Sequence, residues 1–125
     1  MHPFPPKEEL MFLEGETLFN FCIGPYNVNF SFENCNLSAE FALIHVQSDG
    51  TSVRYDIQQM TSAPPIKFQK CLGKKVVALE VKELRLDLKF ETGDVIQIES
   101  DLGSYESGNI EHAGGPGKEP VYFVF

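Results

Sequence analysis

The sequence contains few of the features that identify common catalytic and metal-binding proteins. Its 125 residues include no Trp and three cysteines, Cys22, Cys35 and Cys71, without a Cys-x-x-Cys spacing. Three separated thiols form neither a disulfide framework nor a zinc ribbon, so reduced cysteines in a reducing compartment are expected. The spacings of zinc proteases, serine hydrolases and EF-hands are absent as well. The sequence therefore predicts no cofactor, no metal site and no enzymatic activity.

Long apolar runs are also lacking. No stretch approaches the roughly 18 apolar residues that a membrane-spanning helix requires. The first ten residues, MHPFPPKEEL, have neither the basic start nor the apolar segment of a signal peptide. We therefore expect a cytoplasmic protein with no membrane association.

Positive charge is scarce. The chain has 10 Lys and Arg against 18 Asp and Glu, which gives a formal net charge of -8. Such a surface repels phosphate backbones, so a nucleic-acid partner is disfavoured and a basic protein is the more natural partner. The alternative is that the excess acid only keeps the protein soluble. Six acids and no Lys or Arg occur between residues 91 and 117: Glu91, Asp94, Glu99, Asp101, Glu106 and Glu111.

The glycine-rich stretch EHAGGPGKEP (residues 111–120) resembles a phosphate-binding loop only superficially. A P-loop requires Gly five residues before its Gly-Lys pair and Ser or Thr after it, and here those positions hold His112 and Glu119. An apolar strand-like tail follows instead of a helix, so no helix N-terminus is present to bind phosphate. We interpret the stretch as a turn before the last strand, with Lys118 marking the end of the acidic segment.

Period-two alternation predicts that most of the chain forms strands. One short helix is expected first, with Pro5 and Pro6 in its first turn and Gly15 at its end. Residues 37–46 are apolar on both faces and predict a strand that is bulged or covered on both sides. Pro64 and Pro65 predict a connection without strands, and the apolar tail predicts a last strand inside the sheet. The alternating side chains are Val28, Phe30 and Phe32, then Val53, Tyr55 and Ile57, then Leu84, Leu86, Leu88 and Phe90, then Ile96 and Ile98.

Two parts of the chain, about residues 23–60 and 72–100, resemble each other. Gly24 aligns with Gly73, Val28 with Val77 and Leu37 with Leu86, although the first part is six residues longer before its turn glycine. Each part reads as a three-stranded meander, and either duplication or the general similarity of antiparallel meanders explains the match. We therefore predict one all-β domain over residues 1–125, an antiparallel β-sandwich or flattened barrel of about seven strands with one short N-terminal helix.

The C-terminal half resembles a group of short bacterial β-proteins, mostly of unknown function. The matching residues are Gly73, Val77, Leu86, Leu88, Phe90, Gly93, Ile96, Ile98, Tyr105 and Glu106. Proteins that look like this occur among the immunity proteins of bacterial toxin systems, which are small, acidic and non-enzymatic and bind the toxin domain. The resemblance implies a toxin-neutralising protein whose acidic surface meets a basic, nuclease-type toxin. The family pattern offers no catalytic residue to transfer.

The acidic segment supplies the predicted partner contacts, because an aromatic anchor among charged neighbours is typical of interface hot spots. These residues are Asp94, Glu99, Asp101, Tyr105, Glu106, Ile110, Glu111 and His112. Two alternatives stay open: a small-ligand-binding β-barrel lined by Phe, and an enzyme that uses His112 with Glu106 or Glu111. His45, on an apolar strand, is interpreted as a structural histidine.

Overall fold

The protein is a sandwich of two antiparallel five-stranded sheets in the computed structural model, which describes residues 3–101, 107–113 and 120–125. One apolar core lies between the sheets and combines Leu37 and Ile110 from one sheet with Leu43 and Ile96 from the other. The predicted all-β class and antiparallel pairing are confirmed. Within the described residues the strands of the two sheets do not join into one closed barrel, so the sandwich is the correct alternative and the flattened barrel is wrong.

Sheet I has the strand order β1-β2-β3-β9-β10, and sheet II has the order β5-β4-β8-β7-β6. Sheet I consists of β1 (Leu18–Ile23), β2 (Val28–Phe32), β3 (Cys35–Ala39), β9 (Gly108–His112) and β10 (Val121–Val124). Sheet II consists of β4 (Ala42–Val46), β5 (Ser52–Asp56), β6 (Val76–Lys82), β7 (Arg85–Phe90) and β8 (Val95–Glu99).

The predicted N-terminal helix is confirmed. It comprises α1 (Lys7–Leu10) and a 3₁₀ turn (Met11–Leu13), and the chain leaves it through Gly15 at a positive φ of 91°. Leu10 and Leu13 are fully buried, which shows that this short helix is held by its apolar face rather than by its own hydrogen bonds. Phe4 stacks on Phe125, with ring centroids 4.3 Å apart, so the N-terminal segment packs against the end of the chain.

The chain crosses between the sheets twice. Between β3 and β4 it passes from sheet I to sheet II at Glu40 and Phe41, and it returns to sheet I between β8 and β9. The prediction of a single strand over residues 37–46 is therefore wrong. The inward positions keep one phase of the sequence, Leu37 and Ala39 in β3 and Leu43 in β4, whereas Ile44 on the other face of β4 is only half-buried.

The two sequence halves consequently differ in structure. Residues 72–100 do form a three-stranded meander, β6-β7-β8, within sheet II. Residues 23–60 divide their strands between both sheets, so the prediction of two similar meanders is wrong. The aligned valines differ too: Val28 is buried, whereas Val77 is 52% exposed because a bulge shifts the register of β6 between Val76 and Ala78.

Two further strand predictions need correction. The described residues contain ten strands rather than about seven, because β1 and β9 were not predicted and residues 37–46 form two strands. The last strand, β10, lies at the edge of sheet I and not inside it, and Tyr122 is 56% exposed there. The predicted connection around Pro64 and Pro65 is strand-free, as expected, and contains two short 3₁₀ segments, Ile57–Ser62 and Phe68–Cys71.

The connection contributes the aromatic centre of the core. Phe68 is fully buried, and its ring lies 4.7 Å from that of Phe21, 5.8 Å from that of Phe30 and 5.7 Å from that of Tyr55, measured between centroids. Segment 57–75 therefore links the two sheets through side chains. Within the described ranges, none of the helices has the length and apolar character needed to cross a membrane.

Candidate functional site

The predicted contact residues do not form one continuous loop. Residues 108–112 of the acidic segment form strand β9, which pairs with β3 and β10. Asp101 precedes the end of β9 that begins at Gly108, and Glu111 lies near the other end of the strand. The length of strand between these two ends is about 10–13 Å. Tyr105 and Glu106 lie outside the described residues, as do residues 114–119 of the glycine-rich stretch, including Lys118.

Asp94 and Ile110 cannot be partner contacts, and these two predictions are wrong. Ile110 is fully buried in the core, opposite Leu37. Asp94 is 1% exposed because its carboxylate turns inward, where Oδ2 lies 2.6 Å from Nε2 of His45 and Oδ1 accepts a hydrogen bond from Thr92. Their burial leaves Glu99, Asp101, Glu111 and His112 as described candidates on the surface.

Sheet II neutralises its own charges. Glu99 forms an ion pair with Arg54 across the outer face, and Asp87 accepts hydrogen bonds from Arg85 on the same strand. Glu99 therefore has an internal partner already, which lowers its value as a contact for a separate protein. An exposed pair such as Arg54–Glu99 contributes about 0–1 kcal/mol. The main effect of the two pairs is to make the outer face of sheet II nearly neutral.

Sheet I has the opposite character, because none of its five strands contains Lys or Arg. On its outer face Asn36, Glu111 and Tyr122 are register neighbours across β3, β9 and β10. These three residues line a surface pocket of about 360 Å³, and Glu33 in the β2–β3 turn lines it as well. We call Glu33, Asn36, Glu111 and Tyr122 the acidic patch of sheet I. In the described part of the chain neither of its carboxylates pairs with Lys or Arg.

The patch has the chemistry of a receptor for a basic side chain. A guanidinium or ammonium group can pair with the carboxylate of Glu111 while it lies against the exposed ring of Tyr122. Asn36 adds a neutral donor and acceptor beside them. The pocket is near the lower limit of ligand-sized cavities, roughly 300–1,000 Å³, and is therefore large enough for one long side chain.

His112 does not combine with Glu111 into an acid–base pair. Consecutive residues of a strand face opposite sides, and Glu111 is exposed whereas His112 is half-buried. The His112 ring packs against Phe12 of the N-terminal segment, with centroids 4.4 Å apart. His112 thus fixes the end of β9 against the helix and borders the pocket from the inner side.

A second polar cluster lies in the core and was not predicted. His45 on β4, Asp94 before β8 and Cys71 in the connection are all buried, and one ligand-type atom from each lies within 4.8 Å of the others. Nδ1 of His45 has no hydrogen-bond partner among the described residues. Burial and the nearby carboxylate of Asp94 raise the pKa of Cys71 to about 12. Because residues 45 and 94 are far apart in sequence, no local pattern indicates this contact.

Cys35 lies beneath the acidic patch and is also protected. Its thiol donates a hydrogen bond to Glu16 Oε1 (3.6 Å), and the same oxygen accepts one from the backbone N–H of Asn34 (2.8 Å). Burial first, and then the charge of Glu16, raise the pKa of Cys35 far above its ordinary value. Glu16 thereby holds the β2–β3 turn that carries Glu33.

Native-state thiol labelling tests this description of the cysteines. At about pH 8 a thiol reagent is expected to modify Cys22, which is exposed, while Cys35 and Cys71 react only after unfolding, because both are buried and protonated. The measurement is the number of reactive thiols per chain before and after addition of denaturant. Fast labelling of a Cys22→Ser variant in its native state would contradict the burial of the other two.

Comparison with known proteins yields no relative: no family model, no curated protein and no solved structure matches the chain significantly.

Proposed function

We propose that the protein is a non-enzymatic immunity protein that neutralises a basic, nuclease-type bacterial toxin domain through the acidic patch of sheet I. The observation that carries the proposal is the absence of positive charge from one sheet. The strands of sheet I contain one acid, Glu111, and no Lys or Arg, whereas the strands of sheet II contain four acids and four basic residues, Arg54, Lys82, Arg85 and Lys89. Complementary charge steers association and excludes wrong partners, so a face with one sign of charge favours a partner of the other sign.

The proposed contact is centred on Tyr122. Tyr is enriched among interface hot spots, and this ring is exposed on an edge strand beside Glu111. Glu33 and Asp101, both exposed, extend the acidic surface beyond the two ends of β9. A basic active-site surface covered in this way would be closed to its nucleic-acid substrate. The three free thiols support a reducing compartment, and the proposal therefore includes a cytoplasmic location.

The ligand-binding alternative has less support. It requires an enclosed barrel interior, whereas the inner positions of this open sandwich are filled by buried side chains such as Phe30, Phe68 and Phe90. The pocket beside the acidic patch is a surface feature and fits a side chain of a protein partner equally well.

Charge reversal in the patch is expected to weaken toxin binding. Glu33→Lys combined with Glu111→Lys should lower the affinity for the toxin domain encoded by the neighbouring gene at least about tenfold, with slower association at low salt. The matched control is Glu83→Lys with Glu91→Lys, which makes the same change of charge in exposed turns of sheet II.

Titration calorimetry measures the affinity, and stopped-flow experiments at two salt concentrations measure the association rate. Equal losses in the patch variant and in the control would show that net charge alone matters and that the patch is not the contact. If the adjacent gene encodes no toxin and no toxin domain is neutralised, the immunity function itself is wrong.

A further inference from the structure

The buried cluster of His45, Cys71 and Asp94 lies outside the acidic patch and has no role in partner binding. Three separate segments bring it together: strand β4, the connection between β5 and β6, and the turn before β8. The side chains of His45 and Asp94 are 0% and 1% exposed, so no substrate can reach them in the folded chain. The cluster therefore has no catalytic role in the folded chain, and we look for its role within the fold itself.

The hydrogen bonds within the cluster are incomplete. Asp94 uses Oδ2 for His45 Nε2 and Oδ1 for the hydroxyl of Thr92, which satisfies the carboxylate. His45 Nδ1 has no partner within the described residues, although the ring is fully buried. Nearly all buried polar atoms in native proteins are satisfied, and the exceptions have specific causes, among them a water or an ion bound nearby.

The donors present are those of a transition-metal site. An imidazole nitrogen, a thiol sulfur and a carboxylate oxygen are the usual ligands of Zn²⁺, whereas Mg²⁺ and Ca²⁺ take oxygen ligands and do not favour sulfur. We propose that His45, Cys71 and Asp94 bind one Zn²⁺ or a similar divalent cation, which ties the connection to sheet II. This proposal does not depend on the proposed immunity function.

Only small movements are required. Zinc bonds of 2.0–2.3 Å place tetrahedral ligands about 3.3–3.8 Å apart, and the three ligand atoms already lie within 4.8 Å of one another. On binding, the thiol of Cys71 loses its proton to the solvent and its sulfur bonds to the cation. The cation replaces the hydrogen bond between His45 Nε2 and Asp94 Oδ2, and the neutral imidazole then carries its proton on Nδ1. Thr92, hydrogen-bonded to Asp94, keeps the carboxylate oriented, as outer partners do in metal sites. Three protein ligands leave a fourth position for a water molecule.

Cobalt is a suitable probe because thiolate ligation gives Co²⁺ a charge-transfer band in the near ultraviolet. The full chain with Cys22→Ser, which removes the exposed thiol, is refolded after chelator treatment with increasing Co²⁺. We expect the band to saturate at one Co²⁺ per chain and to disappear on addition of Zn²⁺. The band should persist when Cys35→Ser is added, which removes the other buried thiol, and should be lost with Cys71→Ser or His45→Gln.

A thermal measurement keeps the test decisive if the Cys71 or His45 variants fail to fold. Zinc at one hundred times its dissociation constant should raise the melting temperature of the Cys22→Ser chain by roughly 10 °C, and Mg²⁺ should not. Absence of both the band and the zinc-dependent shift would overturn the proposal, as would a band that survives Cys71→Ser.

Discussion

Replacement of Phe68 by Ala is expected to lower the free energy of unfolding by about 3–5 kcal/mol. The ring is fully buried and contacts aromatic side chains from both sheets: Phe21 and Phe30 of sheet I, His45 and Tyr55 of sheet II. Truncation removes these contacts and leaves a cavity that rigid strands on either side cannot fill. Because domains of this size are stable by about 5–15 kcal/mol, the variant is expected to be only marginally folded.

Urea denaturation followed by circular dichroism measures this loss. The matched control is Phe19→Ala on β1, because that ring is 59% exposed and its loss should change stability by less than about 0.5 kcal/mol. A cost below about 1 kcal/mol for Phe68→Ala would contradict the assignment of segment 57–75 to the core between the sheets.

Replacement of Asp94 by Ala is expected to cost a similar amount, about 3–5 kcal/mol. The carboxylate is the described hydrogen-bond partner of a fully buried imidazole, whose other nitrogen already has none. Without Asp94, both nitrogens of His45 are buried and unsatisfied among the described residues, so the penalty exceeds the value of the bond itself. Denaturant titration of the chelator-treated protein measures the effect without any contribution from metal.

A double-mutant cycle separates the pair from its surroundings. His45→Ala together with Asp94→Ala should cost less than the sum of the two single changes, because the double variant leaves no buried partner unpaired. Glu91→Ala, an exposed acid in the same turn, is the control and should be nearly neutral. Additive costs for His45 and Asp94 would show that the two side chains do not interact.

Local patterns predicted the regular parts of the fold. Val28, Phe30 and Phe32 alternate with polar residues and are buried in β2, and Leu86, Leu88 and Phe90 are buried in β7. Gly50 and Gly93 both adopt a φ of 93°, which explains why the turns before β5 and β8 require glycine. Strand period and turn chemistry are properties of neighbouring residues, so a single sequence contains this information.

Arrangements that depend on distant residues could not be predicted in the same way. The passage from sheet I to sheet II at Glu40 and Phe41 looks in the sequence like one continuous apolar strand. The position of β10 at an edge depends on which strand pairs with β9, and β3 takes that place. Asp94 illustrates the same limit, because an acid in a turn normally faces solvent and only the packed fold brings it to His45.

The candidate site was predicted in its chemistry and only partly in its position. Glu111 and Asp101 are exposed, as the acidic segment indicated, but a strand separates them. The aromatic residue beside Glu111 is Tyr122, which is eleven residues away in sequence and adjacent through the pairing of β9 with β10. The lack of Lys and Arg in sheet I becomes visible only when the strands are sorted into sheets.

The most direct test of the proposed contact is a map of backbone amide chemical shifts for the isotope-labelled chain, recorded with and without the toxin domain. We expect the largest changes at Asn36, Glu111 and Tyr122 in sheet I, and little change around Arg54 and Arg85 on the outer face of sheet II. Changes confined to sheet II, with sheet I unaffected in a saturated complex, would contradict this expectation.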